Sequence, residues 1–205
     1  RERLRHLAKM SGPPKRHLVS FVTTLVYFFS FFRRRKGILV LLYHRVTDKL
    51  PPHELAVPVA VFRRQMEYLA KNCDVLSAED LLRVLSGHGA SVVCASLRRP
   101  KVVITFDDGY KDNYMNAYPV LKELGLPATI FLITGMIGTD KKRPRYQHLP
   151  SPDMLSWSDV KEMAAHKVTF GSHTVNHPRL GTLPVQEQKN EIEQSMAMLG
   201  SWLKE

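Results

Sequence analysis

The chain is poor in cysteine, in acidic groups and in long apolar runs. Its 205 residues include 2 cysteines, Cys73 and Cys94, with neither a CxxC pair nor a zinc-finger spacing. Neither a thiolate zinc module nor a redox dithiol is indicated, and the redox compartment stays open. A chain of this length buries a core without disulfide staples. No internal repeat or low-complexity tract is present. At 44% hydrophobic, the sequence is not a disordered charged tail. No uncharged stretch reaches the roughly 20 apolar residues of a full bilayer span.

Acids are scarce overall, 19 against 30 Lys and Arg, which gives a net charge of +11. The imbalance is local. Residues 1–36 hold ten basic residues and one acid, Glu2, a net +9; residues 37–205 are left with +2. The basicity therefore belongs to a leader-like segment, and nucleic-acid binding by the remainder is not indicated. Inside that segment lies the uncharged run Leu18–Phe32, LVSFVTTLVYFFSFF, bracketed by basic clusters. Three placements stay open: in a membrane interface with Arg and Lys on anionic lipid, across the bilayer with snorkelling flanks, or packed on the domain. A basic cluster instead of a small-residue cleavage site follows the run, which argues against a cleaved signal peptide. The expected location is membrane-associated, or cell envelope or extracytoplasmic; with both flanks positive, the side of the membrane stays open. The chain begins with Arg1, so a processed or partial sequence is expected.

From residue 37 onward, strand-like and helix-like stretches alternate, which predicts an α/β fold with a parallel sheet. ILVLLY at 38–43 reads as a strand buried on both faces. Residues 61–71 read as an amphipathic helix and 74–76 as a short strand. Ser77-Ala-Glu-Asp80 reads as a helix-capping start. KVVITF at 101–106 is the clearest strand. A helix over 111–124 is interrupted by Pro119 and stopped by Gly125. Strands are expected at 128–133 and 168–170. A long loop covers 134–155, and a helix with a Ser-x-x-Asp start spans 156–166. A last helix over 184–203 is expected to turn Ile192, Met196 and Leu199 to one face.

Two motifs carry chemistry. Asp107-Asp108-Gly109 ends the strongest strand, where parallel α/β folds place catalytic groups. Taken alone, Asp-Gly is also an ordinary turn signal. His173 and His177 follow the next short strand at an i, i+4 spacing that turns both imidazoles to one side. That suits Zn²⁺ or a similar divalent ion completed by a carboxylate; a pair of surface histidines is the plain alternative. Together, two histidines and one carboxylate make an open three-ligand site. A second carboxylate beside it can accept a proton from water. This is equipment for metal-assisted hydrolysis.

TFDDGY and HTVNHP, in this order, resemble the first two motifs of the polysaccharide deacetylases, the NodB-homology or carbohydrate esterase 4 group. LLYHRV, FRRQMEYL…VLSAEDLL and LSWSDVKEM…FGSHT are also similar to bacterial members, so the resemblance covers residues 38–203. It implies a deformed (β/α) barrel of the polysaccharide deacetylase type over residues 37–205. It implies Asp107 as general base and Asp108, His173 and His177 as ligands to a divalent metal, Zn²⁺ or Co²⁺. The implied substrate is an N-acetylated glycan, and the reaction is removal of N-acetyl groups from its amino sugars. Tyr110 and Tyr146 are candidates for contact with sugar rings, with a core or loop aromatic as the alternative for each. His44, at the end of the first strand, is a candidate substrate contact, with a supporting or packing histidine favoured over a catalytic one. Trp157 reads as a core or loop aromatic.

The sequence also departs from the family. Later family motifs contribute an Arg, an Asp/Trp pair and a Leu-x-His whose imidazole protonates the leaving amine. After Leu180 this chain has no His, Arg or Asp. Five strand candidates are too few to close a barrel that usually takes roughly 200–250 residues. The expectation is a domain incomplete at its C-terminal end, from a truncated or split protein. Completion by another chain is one alternative. A catalytically incomplete metal-binding fragment, or an interaction module in envelope polysaccharide assembly, is the other.

Overall fold

The computed structural model describes residues 37–50, 55–87, 99–142, 147–148 and 153–204. Expectations for residues 1–36, including a membrane-surface contact, lie outside the described residues, as does Tyr146. Among the described residues, no helix is long and apolar enough to cross a membrane. Gly37–Glu205 forms one compact unit.

The larger unit is an α/β fold built on a five-stranded parallel sheet. Its strands are β1 (Ile38–Tyr43), β4 (Asp74–Leu76), β5 (Lys101–Phe106), β6 (Ala128–Leu132) and β7 (Val168–Ser172). The path runs β1-β5-β6-β7, with β4 beside β5. β1 pairs with β5 from Ile38↔Lys101 to Tyr43↔Phe106. The other edge of β5 is shared: β4 lies along its start and β6 meets its end at Thr105↔Thr129 and Phe106↔Ile130. Because every strand runs the same way, all carboxyl ends open on one edge of the sheet, where loops can converge. A small parallel pair, β2 (Arg45–Val46) with β3 (Ala56–Val57), follows β1 and was not legible in the sequence.

Helices alternate with the strands. α1 (Val59–Asn72) buries Phe62, Met66 and Leu69 at helical spacing. Phe62 meets Tyr43 of β1 and Phe106 of β5 at ring-centroid distances of 5.3 and 5.9 Å. α2 (Ala78–Leu85) and α4 (Trp157–Ala164) each begin with a full capping box, Ser77 with Asp80 and Ser156 with Asp159. Each box satisfies two N–H groups that a helix start leaves open. Between them, α3 (Tyr118–Leu124) ends on Gly125 in a left-handed conformation, the usual glycine stop. The break expected at Pro119 is a π-helical turn, Asn113–Ala117, just upstream. Proline has no N–H to donate, and the wider turn accommodates the lost bond without ending the helix.

Two expectations are corrected. β1 is not buried on both faces: Leu39, Val40 and Leu42 are 47%, 57% and 57% exposed. β1 is an edge strand, paired only with β5 among the described residues, and an apolar run cannot report how many neighbours it has. In the last helix, α5 (Val185–Lys204), Ile192 and Met196 are exposed, and the inward face carries Glu191, Ser195 and Leu199. The stacked pair Trp157 and Trp202, with centroids 4.7 Å apart, ties α5 to α4. Trp157 is thus a packing aromatic, as its sequence context indicates.

Candidate metal centre

β5 delivers Asp107 and Asp108 to the carboxyl edge of the sheet, and β7 delivers His173. Two backbone bonds fix these arrivals: Asp107 N–H donates to Tyr43 O at 2.9 Å and His173 N–H to Leu132 O at 2.8 Å. Asp108, Thr174 and His177 sit at φ of 74°, 64° and 56°. Left-handed backbone at non-glycine residues costs about 1–3 kcal/mol each and persists where the surroundings dictate it. Here the strain coincides with the two chemical motifs. Gly109, at φ 80°, makes the turn after Asp108; a Cβ there would lie 2.7 Å from Leu132 Cδ2.

The histidine loop is held on several sides. Thr134 and Gly135 donate N–H groups to Thr174 O and Val175 O at 3.1 and 2.9 Å. A Cβ on Gly135 would stand 2.7 Å from Val175 O, so glycine permits this approach. His177 N–H donates to Thr174 Oγ1 at 2.9 Å. From α5, the Glu191 carboxylate accepts the N–H groups of Val175 and Asn176 and the Asn176 side-chain amide, at 2.8, 2.9 and 2.8 Å. Burial works against the Glu191 charge, but the bonds from Asn176 and Val175 outweigh it and hold the carboxyl below its ordinary range. The sequence reading missed Glu191. Its signal is the spacing to Ser195 and Leu199, which places an acid on the inward face of α5.

These supports bring one oxygen and two nitrogens together. Asp108 Oδ1 lies 3.4 Å from His177 Nε2 and 3.7 Å from His173 Nε2. Ligand atoms of the three residues all lie within 4.8 Å of one another. Both separations exceed the usual 2.7–3.2 Å of an N–H···O bond. Two ligands each about 2.1 Å from one ion, at a tetrahedral angle, would stand about 3.4 Å apart. The donor set and its spacing therefore fit a divalent cation, and the triad is able to coordinate one. Asp108 is 4% exposed, while the two imidazoles are partly open.

Asp107 stands beside the triad, its Oδ2 4.0 Å from His173 Nε2. Burial raises its pKa above the ordinary aspartate value; His173 and His44 pull it down, Asp108 pushes it up, and His177 pulls it down. Tyr110 requires correction. Its ring is 1% exposed and cannot stack on a sugar. Its hydroxyl instead donates to Asp108 Oδ2 at 2.9 Å.

Comparison with known proteins decides the family. The polysaccharide deacetylase family model matches residues 95–205, a span that takes in both motifs. The chain belongs to this family. Over 159 residues it is 36% identical to YxkH of Bacillus subtilis (strain 168), whose name places it in the same family. That alignment covers 76% of this chain and 49% of YxkH, so the chain spans about half the length of this relative. Among solved structures it is similar to the Streptococcus pyogenes deacetylase PplD in complex with acetate, at 29% identity and a TM-score of 0.64. It is also similar to IcaB from Ammonifex degensii, at 27% identity and a TM-score of 0.66. Each comparison covers 82% of this chain and 70% of the other. The deacetylase family thus matches the α/β fold, the parallel sheet and the Asp-His-His cluster described above.

Proposed function

We propose that this protein is a metal-dependent hydrolase that removes N-acetyl groups from amino sugars of a polysaccharide. The convergence of Asp108, His173 and His177 beside Asp107 carries this reading. Family membership and the acetate named with PplD support it. Zn²⁺ is the proposed ion, because imidazole and carboxylate in an open three-ligand set suit it; Co²⁺ suits the same donors.

A divalent cation in such a site supplies Lewis-acid polarisation of a carbonyl oxygen and of water. The chain's own residues do the rest. Asp107 accepts a proton from the attacking water, and its burial makes it a better base than an exposed aspartate. Water adds to the amide carbon first, forming the new C–O bond, and the C–N bond then breaks, giving acetate and a sugar amine. The departing nitrogen gains the proton lost by water. Asp108 serves the ion and not the proton, because Tyr110 occupies its Oδ2 and its Oδ1 faces the imidazoles. We place His44 on the substrate side of this site. Tyr146 remains a proposed sugar contact on sequence grounds.

Acetate release from N-acetylglucosamine oligomers, with and without added Zn²⁺, tests the reading. Metal-dependent release that disappears in Asp107→Asn supports it. A chain that binds metal and releases no acetate supports the metal-binding or interaction-module reading of this segment. Residues 1–36 are proposed to touch an anionic membrane surface at the cell envelope, supported by their +9 charge and apolar run. Salt-sensitive binding to anionic vesicles is the expected result; no binding at low salt would remove that proposal.

A further inference from the structure

Tyr110 is buried at 1% exposure, immediately behind the proposed metal ligand Asp108. A buried phenol needs a partner for its hydroxyl. It donates to Asp108 Oδ2 at 2.9 Å, while Asp108 Oδ1 is turned toward His177 and His173. The tyrosine is itself fixed. Its backbone pairs with Met154 in an isolated bridge, and Asn113 N–H donates to its carbonyl at 3.0 Å. The Arg45 guanidinium lies over its ring, 4.3 Å from the centroid.

Arg45 is 5% exposed and anchored in turn by two buried carboxylates. Its Nε donates to Asp112 Oδ2 at 2.7 Å and its Nη2 to Asp153 Oδ1. Asp112 also accepts Val46 N–H at 2.9 Å through its other oxygen. The result is a chain of fixed contacts, from the Asp112 and Asp153 carboxylates through Arg45 and Tyr110 to Asp108. It reaches a residue whose backbone is held at φ 74°.

We propose that Tyr110, clamped by Arg45, is a positioning residue that holds Asp108 Oδ2 and so presents Oδ1 alone to the metal. This rests on the metal-ligand reading of Asp108, His173 and His177. Groups that orient a metal ligand typically change affinity 10–100-fold when removed. The planar guanidinium matters as well as its charge, because a flat cation both stacks on the ring and meets two carboxylates.

The test is a titration of the metal-free full chain with Co²⁺, read by its visible absorption, and with Zn²⁺ in competition with a chromophoric chelator. Tyr110→Phe is expected to bind either ion about 10–100-fold more weakly and to change the Co²⁺ spectrum. The same substitution in an Asp108→Ala background is expected to change affinity less than twofold, because Tyr110 acts through Asp108. Equal weakening in both backgrounds would mean a general structural role and overturn the proposal; so would unchanged binding in Tyr110→Phe. Circular dichroism of the metal-free chains checks folding. Should Tyr110→Phe not fold, Arg45→Lys is the second probe, expected to weaken binding severalfold in the Asp108 background alone, and unchanged binding in that folded variant overturns the proposal. A wild-type chain that binds neither ion overturns the metal reading and this proposal with it. A wild-type chain that binds while Tyr110→Phe binds equally overturns this proposal alone.

Discussion

Replacing Glu191 on α5 should loosen the loop that carries both histidines. Its carboxylate accepts three hydrogen bonds, from Val175 N–H, Asn176 N–H and Asn176 Nδ2, at 2.8–2.9 Å. Bonds to a charged acceptor contribute about 1.5–3 kcal/mol each when buried, and partial exposure puts these at or below the low end. Glu191→Ala removes all three and should cost about 3 kcal/mol. For a domain of this size, that is a fall in melting temperature of about 6–12 °C. Glu191→Gln keeps the shape and one acceptor oxygen but loses the charge, so about 1 kcal/mol and 2–4 °C are expected. Differential scanning calorimetry of metal-free chains measures both. The depressed Glu191 pKa sets the sign with pH. Its contribution is complete above the ordinary glutamate value of 4.5 and is lost as pH falls through the lower folded value. The gap between wild type and Glu191→Gln should therefore close in acid. Metal affinity should fall about tenfold in Glu191→Ala, as for other outer supports of a ligand. An alanine variant that melts and binds metal like wild type would refute the view that α5 holds the histidine loop.

Asp107→Asn should keep metal affinity within severalfold while acetate release falls about 10²–10⁴-fold, the usual worth of a general base. Chelation should lower the melting temperature: an ion held at 100 times its Kd stabilises by about 2.7 kcal/mol, or roughly 5–10 °C here, compared by thermal melts with and without chelator. Gly171→Ala should destabilise by about 1–3 kcal/mol in denaturant unfolding, because its Cβ would stand 2.5 and 2.6 Å from Phe131 ring carbons. Asp159 is a second acid-sensitive support: burial raises its pKa, but Lys111 and the Ser156 cap outweigh this and depress it. Its contribution is present above the ordinary aspartate range and lost below it. Asp159→Asn should therefore lower the melting temperature at neutral pH, and the difference should shrink in acid.

Local patterns were readable because their causes are local. A capping box needs a serine and an aspartate three residues apart, and both expected boxes formed at Ser77 and Ser156. Asp107-Asp108 at a strand end and His173/His177 at i, i+4 pointed to a carboxylate–histidine cluster, and Asp108, His173 and His177 do come together; which aspartate joins the histidines was implied only by the family resemblance. What stayed hidden depends on partners far along the chain. Arg45 finds Asp112 and Asp153 at separations of 67 and 108 residues. Nothing in the sequence around Tyr110 says that a guanidinium will cover its ring, so a buried tyrosine bonded to Asp108 read as a candidate sugar contact. The same reason explains β1, where an apolar hexapeptide looks alike at an edge and in a sheet interior. On α5, the apolar spacing grouped Ile192 and Met196 with Leu199 on one face, yet only Leu199 is buried. The histidine loop instead drew Glu191 inward, because its open N–H groups needed an acceptor.

The central claim is that Asp108, His173 and His177 share one divalent cation beside Asp107. Anomalous diffraction at the zinc edge, from crystals of the full chain grown with Zn²⁺, tests it most directly. The account predicts a single strong peak bonded to Asp108 Oδ1 and to Nε2 of both histidines, absent from His173→Ala crystals. A peak at other residues, or none at this cluster with excess zinc present, would contradict it.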